Sequence, residues 1–276
     1  MRSALLQMTS GDDPARNLEA ARSMMREAAS GGADFILTPE VTNCVSASRA
    51  RQAEVLRPEA EDPTLAGLSA EARALGVWLL IGSLGVKTGD ADGRFANRSF
   101  LVGPDGAVAA RYDKIHMFDV DIGPGESIRE SDGYRPGRRA VLADTPLARI
   151  GMTICYDLRF AHLYRQLAQA GAQILTVPSA FHPLTGAAHW HTLLRARAIE
   201  TGCFVLAPAQ TGTHAAVAGR ARETYGHSLA VAPWGEVLAD GGSEPGVVFV
   251  DLDLADVDKA RSRVPALMHD RNFEGP

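Results

Sequence analysis

Cysteine is scarce in this chain: 276 residues carry three, Cys44, Cys155 and Cys203. An odd number at wide spacing argues against a disulfide framework, and no C-x-x-C pair offers a thiolate metal site. Basic runs are missing as well. With a formal net charge of −5 and no lysine–arginine stretch long enough to track phosphates, the chain lacks the footprint of a nucleic-acid binder, and small molecules are the expected partners. One arginine and a short apolar stretch precede Gly11, too little for a signal-peptide core or a membrane span. The expectation is therefore a cytoplasmic protein with reduced thiols and no membrane partner.

What is present suffices for a large core, with 46% hydrophobic and 22% charged residues. No linker rich in glycine, proline or serine divides it, so one domain over residues 1–276 is expected. Strand patterns at Ala4 to Thr9 and Asp34 to Thr38 flank a helix from Pro14 to Ala29, with Asp12 and Asp13 as caps. A helix at Thr64 to Leu75, a strand at Val77 to Leu84 and a hairpin of Asn97–Val102 with Val108–Tyr112 complete this half. The second half follows the same order: strand Ala148 to Ile154, helix about Phe160 to Ala170, strand Ile174 to Val177, helix about Gly186 to Glu200, strand Phe204 to Pro208. A hairpin of Ser228–Ala232 with Val237–Ala239, a strand at Val247 to Leu252 and a helix near Leu254 to Arg263 close the chain. Continuous apolar strands such as WLLIG need cover on both faces, which predicts an α/β fold: a four-layer α-β-β-α sandwich of two mixed sheets with helices outside.

In α/β sheets, ligands sit beyond the carboxyl ends of strands. Three chemically distinct groups leave predicted strands there: Glu40 after FILTP, Lys114 after the strand ending at Tyr112, and Cys155 after GMTI. Each has a plain structural reading, as a loop acid, a surface charge and core filler. Together they can transfer an acyl group from an amide. A free thiol, with a pKa near about 8.5, needs a proton acceptor or a nearby cation to attack. Glu40 supplies the general base; Lys114, with the backbone N–H of Tyr156, supplies donors for the oxyanion. A cysteine–histidine pair, with His182 or His227 as base, is the rival mechanism. Tyr156 and Phe181, near predicted strand ends, are candidate substrate-binding walls.

TPEVTN, RYDKIHMFDVDI and GMTICYDLRF resemble the three catalytic motifs of the nitrilase superfamily of carbon–nitrogen hydrolases, and the likeness continues through ILTVPSAFHPLTGAAHWHTLLRARAIE and YGHSLAVAPWGEV. The resemblance implies the same sandwich and a Glu-Lys-Cys triad at Glu40, Lys114 and Cys155. It alone adds Glu130, in ESDGYRPG, as the second glutamate that positions the triad. KIHMFDVDI, GESIRESDGYRPG and RETYGHSLAVAPWGEV look most like the amidase branch acting on deaminated glutathione. ω-Amidases are close neighbours, and nitrilase, N-carbamoyl amidohydrolase or a non-catalytic binding module on the same fold remain alternatives. His191 departs from the branch, where a glutamate is expected.

An anionic amide needs cations, and Arg129, Arg135, Arg138 and Arg139 follow Lys114 as candidates. No spacing matches a zinc site, and His189 and His191, two apart on a helix, point away from each other, so no metal and no cofactor are expected. Cys203 reads as core and Cys44 as part of the loop beyond Glu40. The tail VPALMHDRNFEGP, about residues 264–276, is too short for its own core and is expected to pack at a homodimer contact, as the resemblance also implies.

Overall fold

Asp13 and Pro14 start the first helix: Asp13 Oδ1 accepts from the Ala15 amide at 3.1 Å, and proline fixes φ where no N–H is needed. The computed structural model describes residues 1–123 and 126–275; Pro124, Gly125 and Pro276 lie outside it, so GESIRESDGYRPG and the tail are described only in part. In chain order, β1 (Arg2–Gln7), α1 (Pro14–Ser30), β2 (Phe35–Leu37), α2 (Arg49–Val55), α3 (Pro63–Leu75), β3 (Trp78–Lys87), β4 (Phe95–Val102) and β5 (Val108–Asp113) make the first half. The second runs through β6 (Asp119–Gly123), β7 (Glu126–Arg129), β8 (Val141–Asp144), β9 (Arg149–Met152), α4 (Ala161–Gln169), β10 (Ile174–Thr176), α5 (Pro183–Thr201) and β11 (Phe204–Ala207). It ends with β12 (Thr211–His214), β13 (Arg222–Tyr225), β14 (Leu229–Val231), β15 (Val237–Asp240), β16 (Gly246–Asp251) and α6 (Ala255–Arg263).

The recurrence seen in the element order is a recurrence of sheet topology. One sheet runs β16-β1-β2-β3-β4-β5, the other β8-β9-β10-β11-β14-β15. In each, three parallel strands with helical crossovers are flanked by antiparallel neighbours. β16 corrects one expectation: it does not extend the second half but returns to pair with β1, Arg2 opposite Asp251, closing the first sheet with the end of the chain.

Strand alternation places the layers. Ala4, Leu6, Ile36, Leu79 and Ile81 face α1 and α3, while Leu5, Phe35, Leu37, Leu80 and Leu101 face the opposite way, into one cluster with Ile150, Met152, Leu175 and Val205 of the second sheet. That cluster extends to Leu163 and Leu167 of α4 and Trp190 and Leu194 of α5. The result is the four-layer α-β-β-α arrangement, with helices outside two mixed sheets.

The hairpins β6–β7 and β12–β13, the edge strand β8 and helix α2 were absent from the sequence reading; all are short, and the two hairpins are mostly polar. Two early strand ends matter for the site. β2 ends at Leu37 and β9 at Met152, so Glu40 and Cys155 each stand three residues past a strand, in turns of their own. Among the described residues, no helix is long and apolar enough to cross a membrane.

Candidate active site

Glu40 sits in a turn held from several sides. Thr38 Oγ1 accepts from the Gly82 amide at 3.0 Å, Thr42 Oγ1 donates to Pro39 O at 2.8 Å, and the Val41 amide donates to Ser83 Oγ at 2.8 Å. Val41 has φ +48°, a sparsely populated conformation for a β-branched residue, and the strain falls directly beside the acid. Gly82 has no room for a side chain: a Cβ there would lie 2.0 Å from Thr38 O and 2.7 Å from Pro39 O. The Glu40 carboxylate, on a residue 4% exposed, accepts from the Ala180 amide at Oε2, 2.8 Å, and from Asn97 Nδ2 at Oε1, 2.8 Å.

Lys114 follows β5 directly and is 2% exposed. Its ammonium donates to Glu40 Oε1 at 2.9 Å and to both oxygens of Glu130, each at 2.9 Å. Glu130 opens a 3₁₀ turn after β7 and accepts from the Phe118 amide at 2.6 Å. Asn97 Nδ2 reaches it too, at 3.4 Å, so this one amide touches both carboxylates that hold the lysine. Asn97 was not singled out from the sequence; the signal available was its place on β4 beside the strand that delivers Lys114.

Cys155 begins a 3₁₀ turn at φ +48°, its amide donating to Pro178 O at 3.0 Å. The sharp turn leaves Cys155 on the cavity wall, and the first-turn amide of Tyr156 lies where helical N–H groups have no intrahelical acceptor. Asp157, fully buried, ties this turn to the Lys114 segment. Its Oδ2 accepts from the Ile154 amide at 2.9 Å and the Tyr112 hydroxyl at 2.7 Å; its Oδ1 accepts from the His116 amide at 3.0 Å.

Charges in the site oppose one another in a definite order. Burial pushes the Glu40 carboxyl up, but attraction to Lys114 and hydrogen bonds from Lys114, the Cys155 thiol and Asn97 outweigh it, and the net shift is downward. Burial pulls Lys114 down, and the Glu130 and Glu40 carboxylates more than reverse this, leaving it well above its ordinary value. For Cys155, burial comes first, then the Glu40 charge; both push the thiol well up, against the opposing pull of Lys114. The resting arrangement is thus a carboxylate, an ammonium and a neutral thiol.

These groups line a cavity of about 460 Å³ with Tyr156 and Phe181 among its walls. Tyr156 packs edge-on against Phe118, centroids 5.0 Å apart, and Phe181 against Trp190, 4.9 Å apart. The structure splits the arginines suggested by the sequence. Arg129 reaches the cavity rim while bonded to Asp121, but Arg135 pairs with Asp90 and Asp113, and Arg138 and Arg139 line a separate depression. The turn after Glu130 causes this, because Arg135 N donates to Phe95 O and the chain is led past Asp113. Arg49 at the start of α2, Arg220 just before β13 and Arg222 on it line the cavity instead, from parts of the chain where no element is expected from sequence.

The rival histidines stand elsewhere or do other work. His227 bonds Asp240 at 2.9 Å and is absent from the cavity wall; His182 lines it but caps α5, accepting from the Leu184 amide at 3.3 Å. Glu40 raises the thiol, and Lys114 and the Ala180 amide lower it, against the dominant effect of burial.

The profile of the carbon-nitrogen hydrolase family matches residues 2–262. Deaminated glutathione amidase of Yersinia enterocolitica is 39% identical over 269 residues, 97% of this chain and 92% of that one. Among solved structures, the Caenorhabditis elegans NitFhit protein superposes with TM-score 0.90 at 36% identity, covering 98% of this chain and 65% of that longer one. Saccharomyces cerevisiae Nit3, a member of branch 10 of the nitrilase superfamily, superposes with TM-score 0.86 at 26% identity over 99% of this chain and 97% of that one. The chain belongs to the carbon–nitrogen hydrolase family and has the nitrilase-superfamily fold.

Proposed function

We propose that the chain hydrolyses a small anionic linear amide to a carboxylate and ammonia through a thioester on Cys155, with activity of the deaminated glutathione amidase type. One observation carries this reading: Glu40 accepts from the Lys114 ammonium at 2.9 Å, and the two line one arginine-rich cavity together with the Cys155 thiol. Relatives named deaminated glutathione amidase, at 39% identity, support the substrate class.

Because the thiol rests protonated, the nucleophile is made at the moment of attack. Glu40 takes the S–H proton as sulfur bonds to the amide carbon, and the carbonyl π pair moves onto oxygen. Lys114, an ammonium throughout, and the Tyr156 amide receive that oxyanion. Glu40 then gives its proton to nitrogen, the C–N bond breaks and ammonia leaves. Water repeats the cycle on the thioester, losing its proton to Glu40 and restoring the thiol. Glu130 orients Lys114 by holding it with both oxygens. Tyr156 and Phe181 enclose the acyl chain.

Arg49, Arg129, Arg220 and Arg222 around the cavity suit a substrate carrying carboxylates. Residues 1–276 act as one domain, since one apolar cluster joins both sheets. Part of the tail binds its own chain: Arg165 donates to Ala266 O at 2.9 Å and Gln169 to Leu267 O at 3.2 Å. Met268 and Phe273 stay 83% and 90% exposed, and with Trp234 and Ile199 they offer a homodimer contact. Three buried free cysteines fit a reducing cytoplasm. The test is ammonia release from a panel of neutral amides, α-ketoglutaramate and deaminated glutathione. Fastest turnover on the last supports the reading, and turnover confined to neutral amides or nitriles refutes it.

A further inference from the structure

Midway along α5, His191 meets two residues distant in sequence. His191 Nε2 lies 2.9 Å from Asp240 Oδ2, and His227 Nδ1 lies 2.9 and 3.2 Å from the two oxygens of the same carboxylate. The three ligand atoms all fall within 4.8 Å of one another, a grouping of metal-binding side chains among the described residues. None of the three lines the catalytic cavity. We propose that His191, His227 and Asp240 form a binding site for a zinc-type divalent transition-metal ion, separate from the amidase centre.

The donor set carries the choice of ion. Two imidazole nitrogens and one carboxylate oxygen suit zinc, cobalt or nickel, whereas magnesium and calcium prefer oxygen alone. Zinc–ligand bonds of about 2.0 to 2.2 Å in a tetrahedron set ligand atoms about 3.3 Å apart, so the 2.9 and 3.2 Å edges to Asp240 open by tenths of an ångström while the His191–His227 edge, within 4.8 Å, closes toward the same length. An ion would take the place of the protons now shared along these edges, leaving a further position open to water at a half-exposed site.

The ligands are also held before any ion arrives. They come from three elements, α5, the turn before β14 and the end of β15. His227 keeps φ +57°, an uncommon backbone conformation for a residue other than glycine. Its backbone is pinned there: Trp190 Nε1 donates to His227 O at 2.8 Å, and His227 N donates to Gly242 O at 2.7 Å. The ring stacks on Tyr225, centroids 4.6 Å apart, which fixes its plane while leaving the nitrogen edge toward Asp240. Asp240 is oriented in turn by the Gly242 amide at 2.9 Å, the kind of outer support that ligating carboxylates receive. An ion here would staple α5 to the edge of the second sheet.

The test uses tag-free full-length protein with Zn²⁺ alone and Co²⁺ alone as probes. One Zn²⁺ per chain by calorimetry, a Tm that rises with Zn²⁺, and a visible Co²⁺ absorption of low-symmetry N/O coordination are expected. His191→Ala, on the helix surface, and Asp240→Asn should each weaken binding by about a hundredfold or more, beyond the loss typical of an outer-shell change. The melting temperature of each variant without metal shows that it remains folded. Absence of Zn²⁺ binding in the micromolar range, or binding that persists unchanged in both folded variants, overturns the proposal. Amidase activity plays no part in either readout, so failure here leaves the catalytic reading intact.

Discussion

The Tyr112 hydroxyl donates to Asp157 Oδ2 across 2.7 Å, joining the strand that delivers Lys114 to the turn that delivers Cys155. Asp157 also accepts from the Ile154 and His116 amides, so one buried carboxylate ties the Cys155 turn to the segment around Lys114. Asp157→Ala leaves these donors unpaired, each at about 1 to 3 kcal/mol. The expected outcome is a folded but weakened protein, with kcat falling far more than KM changes, because the residue positions the site without touching substrate. Chemical denaturation and steady-state kinetics on Asp157→Ala and Tyr112→Phe check this; an unchanged kcat in the alanine variant contradicts it.

In the proposed reaction the arginines on the cavity wall would read substrate charge. Arg222 comes from β13, away from Glu40 and Lys114, so its removal should alter binding and spare the chemistry. Arg222→Ala is expected to raise KM for a dicarboxylate amide about tenfold, the equivalent of about 1.4 kcal/mol, while KM for a neutral amide moves little. Equal effects on both substrates would count against a carboxylate contact.

A buried histidine sets an acid limit on stability. Burial pulls His214 down to about 4 from an ordinary 6.5; a hydrogen bond with the Ser10 carbonyl opposes this and the Arg222 charge adds to it. Between those values the unfolded chain takes up a proton that the folded chain refuses. The contribution is therefore complete above pH 6.5 and declines as pH falls toward about 4, by roughly 3 kcal/mol in all. Urea unfolding of the native protein across this range should show the decline, and His214→Gln, though less stable at neutral pH, should show a shallower one. Parallel profiles would remove His214 as the cause.

The parts of the molecule legible in sequence are those where one local pattern suffices. Pro14 after Asp13, the apolar run WLLIG, and the turn at Gly103 to Gly106 each carry their own signal, and α1, β3 and the β4–β5 hairpin follow them closely. Glu40, Lys114 and Cys155 could be found because each stands just past a strand. Asp157 and Arg222 could not, and Asn97 only through its strand's place beside Lys114, since their importance comes from partners tens of residues away, as with Asn97 and Glu40 at a separation of 57. The return of β16 to β1 depends on a pairing across almost the whole chain, which no window of sequence displays. His191 likewise reads as an oddity until folding sets it against His227 and Asp240.

In the proposed reaction, sulfur forms the covalent bond to the acyl group. Rapid acid quench during turnover of the preferred amide, followed by intact-protein and peptide mass spectrometry, tests it most directly. An added acyl mass on Cys155, lost along with ammonia release in Cys155→Ala, is the predicted result. Acyl mass on another residue, or ammonia release that persists in Cys155→Ala, would contradict it.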